Sequence, residues 1–195
     1  LSFLKSFLRK ERKSTHVALC GPGAGKSSKT MKFTEEILKQ IKFVILDADS
    51  LNSFQNKTKK LLKYLNLNTL ITPHESEFHR LFPKIKRNLG SKAKVLKFLK
   101  TTKSNILLKG NTTIIGSPKK IVVNKHSSSE LAVIGSGDVL VGIIASLVGD
   151  KKLSMIEAAS AAAWLHGDVA RRYGKGLISE DIIKGIPAAL QKLKK

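Results

Sequence analysis

Four short apolar runs, His16–Cys20, Phe43–Leu46, Thr69–Ile71 and Asn105–Leu108, each stop abruptly at small or polar residues. Helical stretches are expected between them, at Ser28–Ile41, Gln55–Leu65, Glu75–Leu81 and Ser91–Lys100. Thr113–Ile115 and Ile121–Val123 read as an antiparallel pair turned by Gly116-Ser117-Pro118-Lys119. Three helices are expected to finish the chain, at Asp138–Val148, Ser154–Tyr173 and Ser179–Leu193. Strands alternating with helices imply an α/β fold, its mostly parallel sheet covered on both faces.

In such sheets, ligands bind just beyond the carboxyl ends of the strands. The polar groups of this chain lie at those ends: the Gly21–Gly25 loop, Asp47 and Asp49, Thr72 to Glu75, and Lys109-Gly110. They are expected to line one cleft together with Gly135-Ser136-Gly137-Asp138, a small-residue turn running into an apolar helix. A tight turn at a helix start gathers backbone N–H groups at the positive end of the dipole, which makes an anion site suited to phosphate. A carboxylate beside bound phosphate repels it, so Asp138 reads better as a base for an attacking hydroxyl. The plainer reading makes Asp138 a helix cap.

At 195 residues and 42% apolar content, one domain with a real core is expected, 16–195, preceded by a basic amphipathic segment, 1–15. No apolar run reaches the roughly 18 residues that span a bilayer. The single cysteine, Cys20, rules out an internal disulfide framework and fits a reducing cytoplasm. The net charge of +22 suggests nucleic acid, but most of the 36 basic residues are scattered lysines. Nucleic-acid readers lean on arginine and interleaved aromatics, which are sparse here. No specific nucleic-acid partner is expected, and the basic surface favours anionic small molecules.

Gly21-Pro22-Gly23-Ala24-Gly25-Lys26-Ser27 imitates a P-loop, but the first glycine of that motif would fall on residue 20, which is Cys20. A glycine loop that lets a ligand approach the backbone fits better. His74, at a strand end, is a binding candidate as well as an ordinary structural histidine. Asp47 and Asp49 would point in alternate directions if their strand continued, so one of them is expected to face the cleft. Their pairing could hold a metal, although no further acidic group keeps ligand spacing. His126 and His166 lack zinc spacing, and His166 belongs to a buried helix. Lys109-Gly110-Asn111-Thr112-Thr113 suits phosphate or ribose contacts, or is a plain polar turn.

Six pieces occur in order: Gly21–Gly25, Leu46–Asn52, Thr72–Phe78, Leu108–Gly110, Gly135–Gly142 and Ala162–Gly167. Together they resemble the NAD(P)H-hydrate dehydratases, carbohydrate-kinase-like enzymes of the ribokinase-like fold. The resemblance implies a three-layer α/β/α sandwich. It implies dehydration of hydrated NADH or NADPH, NADHX or NADPHX, with ADP or ATP as phosphoryl donor and Mg2+ accompanying it. It places Gly21, Gly23, Gly25, Asp49, His74 and Asp138 against the hydrated dinucleotide, with Asp138 as base. Lys109, Gly110, Asn111, Thr112, Thr113, Gly135, Ser136 and Gly137 would hold the nucleotide.

Two features depart from the family pattern. Lys125–Glu130 stands where members carry a Gly-Asn-type turn, and about a third of the family domain precedes the Gly-Pro-Gly loop. Only residues 1–15 precede the first matched strand here, so the domain is expected to be N-terminally truncated. An open sheet edge of that kind invites a homo-oligomer, and the pathway implies an NAD(P)H-hydrate epimerase as a working partner. The alternatives are a ribokinase-like kinase for a small hydroxyl compound and a non-catalytic nucleotide-binding remnant.

Overall fold

The computed structural model describes residues 17–150 and 153–192. The amphipathic segment 1–15, His16 and Leu193 lie outside the described residues. Six strands form one sheet in sequence order: β1 (Val17–Cys20), β2 (Phe43–Leu46), β3 (Thr69–Ile71), β4 (Asn105–Leu108), β5 (Thr113–Gly116) and β6 (Ile121–Asn124). β1 to β4 pair in parallel, and β5 runs antiparallel to both β4 and β6. The central strands are buried on both faces, which is why they read as continuous apolar runs and not as alternating ones.

One face carries α1 (Ser28–Gln40), α2 (Ala48–Asn52), α3 (Thr58–Leu62), α4 (Glu75–Leu81) and α5 (Ser91–Leu99). Val44, Leu46, Ile71, Ile106 and Leu108 of the sheet meet Met31, Leu51, Phe54, Phe78 and Phe98 there. The opposite face carries α6 (Ser136–Gly149) and α7 (Met155–Tyr173). Ile45, Leu70, Leu107 and Ile115 pack against Val141, Ile144, Val148, Ala159 and Ala162. The small residues of α7 let that helix lie close to the sheet. α8 (Ser179–Lys192) covers α7 through Ile182 and Ala189. The result is the expected three-layer α/β/α sandwich.

Three local expectations are corrected. α3 begins at Thr58, not Gln55, because Asn56 adopts a left-handed φ of 64° that no helix continues through. α6 begins at Ser136, two residues before Asp138. β2 does not run on through Asp47 and Asp49, since α2 starts at Ala48, so no strand alternation relates these carboxylates. Among the described residues no helix is long and apolar enough to cross a membrane.

Candidate active site

The carboxyl ends of β1 to β4 lie along one edge, and tight hydrogen bonding joins them. Asp47 N–H donates to Cys20 C=O at 3.0 Å, and Thr72 N–H to Leu46 C=O at 3.0 Å. Ser50 Oγ donates to the carbonyls of both Cys20 and Asp47. Gly21 fits only as glycine: its φ is +128°, and a Cβ there would sit 1.7 Å from Asp47 C=O. Past β3 and β4, His74 and Lys109 form a parallel bridge, with Lys109 N–H on Pro73 C=O at 2.9 Å. His74 caps α4, its Nδ1 accepting from the Ser76 and Glu77 amides while Glu77 Oε2 accepts the His74 amide. The reciprocal cap fixes the imidazole at the cleft rim.

The two aspartates have different tasks. Asp49 Oδ2 accepts the Gly25 amide at 2.8 Å, tying the glycine loop to α2. Asp47 is buried at 2% exposure, and its Oδ1 accepts from Lys109 Nζ at 2.8 Å and from Thr72 Oγ1 at 2.8 Å. Sequence reasoning placed Asp47 and Thr72 at the cleft but assigned neither a role, and it gave no sign that both meet Lys109. Lys26, by contrast, reaches away to Gln55 Oε1 at 2.6 Å.

The Gly135–Asp138 turn is braced from behind. Gly135 takes φ +83°, a left-handed conformation that turns the chain into α6. His166 Nε2 lies 2.9 Å from Ser136 C=O, and since a carbonyl only accepts, that nitrogen carries the proton. Ser136 Oγ donates to Leu131 C=O, and Ser179 Oγ donates to Ile134 C=O. With carbonyls of the turn engaged at the back, the Gly137 and Asp138 amides precede the first in-helix acceptor, Gly135 C=O, taken by Val139. Such amides at the head of a 14-residue helix form an anion cradle. Burial pushes the His166 imidazole down to about 4, so it stays neutral beneath that cradle.

A cavity of about 380 Å³ opens in front of this turn, lined by His74, Lys109, Gly110, Asn111, Thr113 and Gly137 among others. Ser127, Ser128 and Ser129 form another wall. Their loop is clamped by His126, which stacks on Trp164 at 5.0 Å and meets Asp168 Oδ1 at 3.2 Å. Burial works to raise the Asp168 carboxyl, but Arg172 and His126 outweigh it and hold it below the ordinary value. Thr112 is exposed beside this cavity without lining it, and Gly21, Gly23, Gly25 and Asp49 stand along the same edge outside it. Asp138 is exposed and lines a different space, a groove of about 700 Å³ between α6 and α8. That groove is the larger of the two, and Val139, Ile143, Leu147, Ile183, Ile186 and Leu190 give it an apolar lining, whereas the smaller cavity is lined mainly by polar residues and backbone.

The chain shares 39% identity over 132 residues with the ADP-dependent (S)-NAD(P)H-hydrate dehydratase of Neisseria meningitidis, covering 65% of this chain and 44% of that protein. A Bifunctional NAD(P)H-hydrate repair enzyme Nnr from Archaeoglobus fulgidus is 30% identical over 182 residues, 91% of this chain and 35% of that enzyme. The chain thus spans less than half the length of these two curated relatives. A ribokinase-like superfamily protein from Enterococcus faecalis superposes at a TM-score of 0.78 with 25% identity, covering 90% of this chain and 63% of its own. The ADP/ATP-dependent NAD(P)H-hydrate dehydratase from Bacillus subtilis, at a TM-score of 0.72 and 23% identity, shares the fold over 90% of this chain and 66% of its own. The model of the NAD(P)H-hydrate dehydratase family matches residues 3–187, and the chain belongs to that family.

Proposed function

We propose that this chain carries the phosphoryl-transfer site for ADP-dependent dehydration of hydrated NADH or NADPH. The observation that carries the reading is the head of α6: Gly137 lines the cavity beside the Lys109 ammonium, and the Gly137 and Asp138 amides precede the first in-helix acceptor. Lys109, Gly110, Asn111, Thr112, Thr113, Gly135, Ser136 and Gly137 are read as the nucleotide side. His74, Asp49, Asp138 and the Gly21–Gly25 loop are read as the side of the hydrated dinucleotide.

Chemically, hydroxide is a poor leaving group and phosphate a good one. The Asp138 carboxylate takes the proton of the ring hydroxyl, whose oxygen attacks the terminal phosphorus of ADP, and the bond to AMP breaks. The Gly137 and Asp138 amides and Lys109 stabilise the charge on the transferring group. The C–O bond then breaks, its electron pair leaving with phosphate, and the adjacent ring carbon gives up a proton as the double bond returns. The products are NAD(P)H, AMP and phosphate.

Among the described residues no group of three or more His, Cys, Asp or Glu is placed to enclose a metal. Mg2+ is read as an ion carried by the nucleotide, with Asp138 in the first turn of α6 a carboxylate able to meet it; it would neutralise phosphate charge. The same reading puts the work in the cytoplasm, in a homo-oligomer, beside an epimerase for the hydrated nucleotides. The bifunctional naming of the Archaeoglobus relative fits a second repair activity close at hand.

Incubation with hydrated NADH, ADP and Mg2+, followed at 340 nm with phosphate release, tests the reading. Recovery of absorbance with stoichiometric free phosphate supports it. A stable phosphoester in place of free phosphate would make the chain a small-molecule kinase.

A further inference from the structure

Nothing in the reaction above uses Asp47, although it is the most deeply buried carboxylate at the cleft edge. Its setting is rigid: its N–H, its C=O and its Oδ1 are each bonded, the last to both Thr72 and Lys109. Lys109 comes from β4's end, 62 residues later, and its side chain is 23% exposed. Its Nζ lies 3.8 Å from the point where a Cβ on Gly137 would stand, so it sits beside the free amides of α6. An ammonium has three protons; one goes to Asp47, which leaves the others for an anion in the cavity.

We propose that Asp47 is a positioning residue, holding the Lys109 ammonium against the terminal phosphate of the bound nucleoside diphosphate. The inference rests on reading the cavity as a nucleotide site. A lysine stem free in water has many rotamers, and ordering it weakens each contact it makes. Here the buried carboxylate orders the stem before the ligand arrives, and Thr72 keeps the carboxylate from turning. A pair that merely joined β2 to β4 would have no reason to stand within reach of the anion cradle.

The decisive comparison is between ADP and AMP, which differ by the terminal phosphate. Titration calorimetry on the full chain would use wild type, Asp47→Asn, Lys109→Gln, the double variant and Thr72→Val, with melting curves to check folding. Asp47→Asn is expected to raise the ADP Kd about tenfold and leave AMP within about twofold, as for one charged hydrogen bond. In the Lys109→Gln background the same change should add nothing. Thr72→Val, the milder variant, should show the same preference for harming ADP at about threefold, and it decides the matter if Asp47→Asn does not fold. Unchanged ADP binding, an equal loss for ADP and AMP, or additive effects in the double variant would overturn the proposal. Wild type that bound neither nucleotide would instead overturn the nucleotide reading on which it rests.

Discussion

His166 on α7 donates from Nε2 to Ser136 C=O at 2.9 Å, so a buried neutral imidazole braces the turn where phosphate is read to bind. Its pKa falls from the ordinary 6.5 to about 4 because burial disfavours the charged ring. Between those values the unfolded chain holds a proton that the fold excludes. This stability is therefore complete above about pH 6.5 and lost as pH falls toward 4, by about 3 kcal/mol. Urea melts of wild type and His166→Gln at pH 7 and pH 4.5 check it. The variant should lose distinctly less stability on acidification, and equal losses would remove His166 from the account.

Asp138→Asn should keep ADP binding within a few-fold, since the proposed reading has backbone amides hold the phosphate. Turnover should fall by roughly 10²–10⁴, as when a general base is removed. Paired calorimetry and 340 nm assays measure the two effects separately. Near-full turnover would leave Asp138 as no more than a residue in the first turn of α6.

Lys26→Ala is expected to leave ADP affinity within a few-fold of wild type. Its ammonium bonds Gln55 at an exposed site, and it does not line the nucleotide cavity. A surface hydrogen bond of this kind contributes about 1 kcal/mol or less to stability. Collapse of ADP binding would restore the P-loop reading despite Cys20.

Gly21→Ala should cost more than about 3 kcal/mol of stability, since both the positive φ and the Asp47 carbonyl oppose a Cβ. Thermal melting and soluble yield report it directly. A melt within a few degrees of wild type would mean that the β1–β2 edge yields more readily than its hydrogen bonds imply.

The strands were legible because each is a short run buried on both faces, and their polar ends marked the ligand edge. What the residues could not announce is which of those ends would touch. Asp49 bonds Gly25 across 24 residues and Asp47 bonds Lys109 across 62, pairings that depend on sheet order. His126, stacked on Trp164 and bonded to Asp168, is a similar case, visible only once β6 and α7 lie side by side. The local break at Asn56 was hidden for another reason, since its left-handed backbone is a single-residue preference inside an otherwise helical pattern.

β5 runs against β4, so Lys109–Thr112 closes a hairpin between two fully buried strands, unlike the long crossovers among β1 to β4. Short loops close at little entropic cost and form early, while contacts distant in sequence wait for the chain between them. The nucleotide edge is accordingly expected to assemble as a local event, giving α6 a surface already in place when its first-turn amides dock.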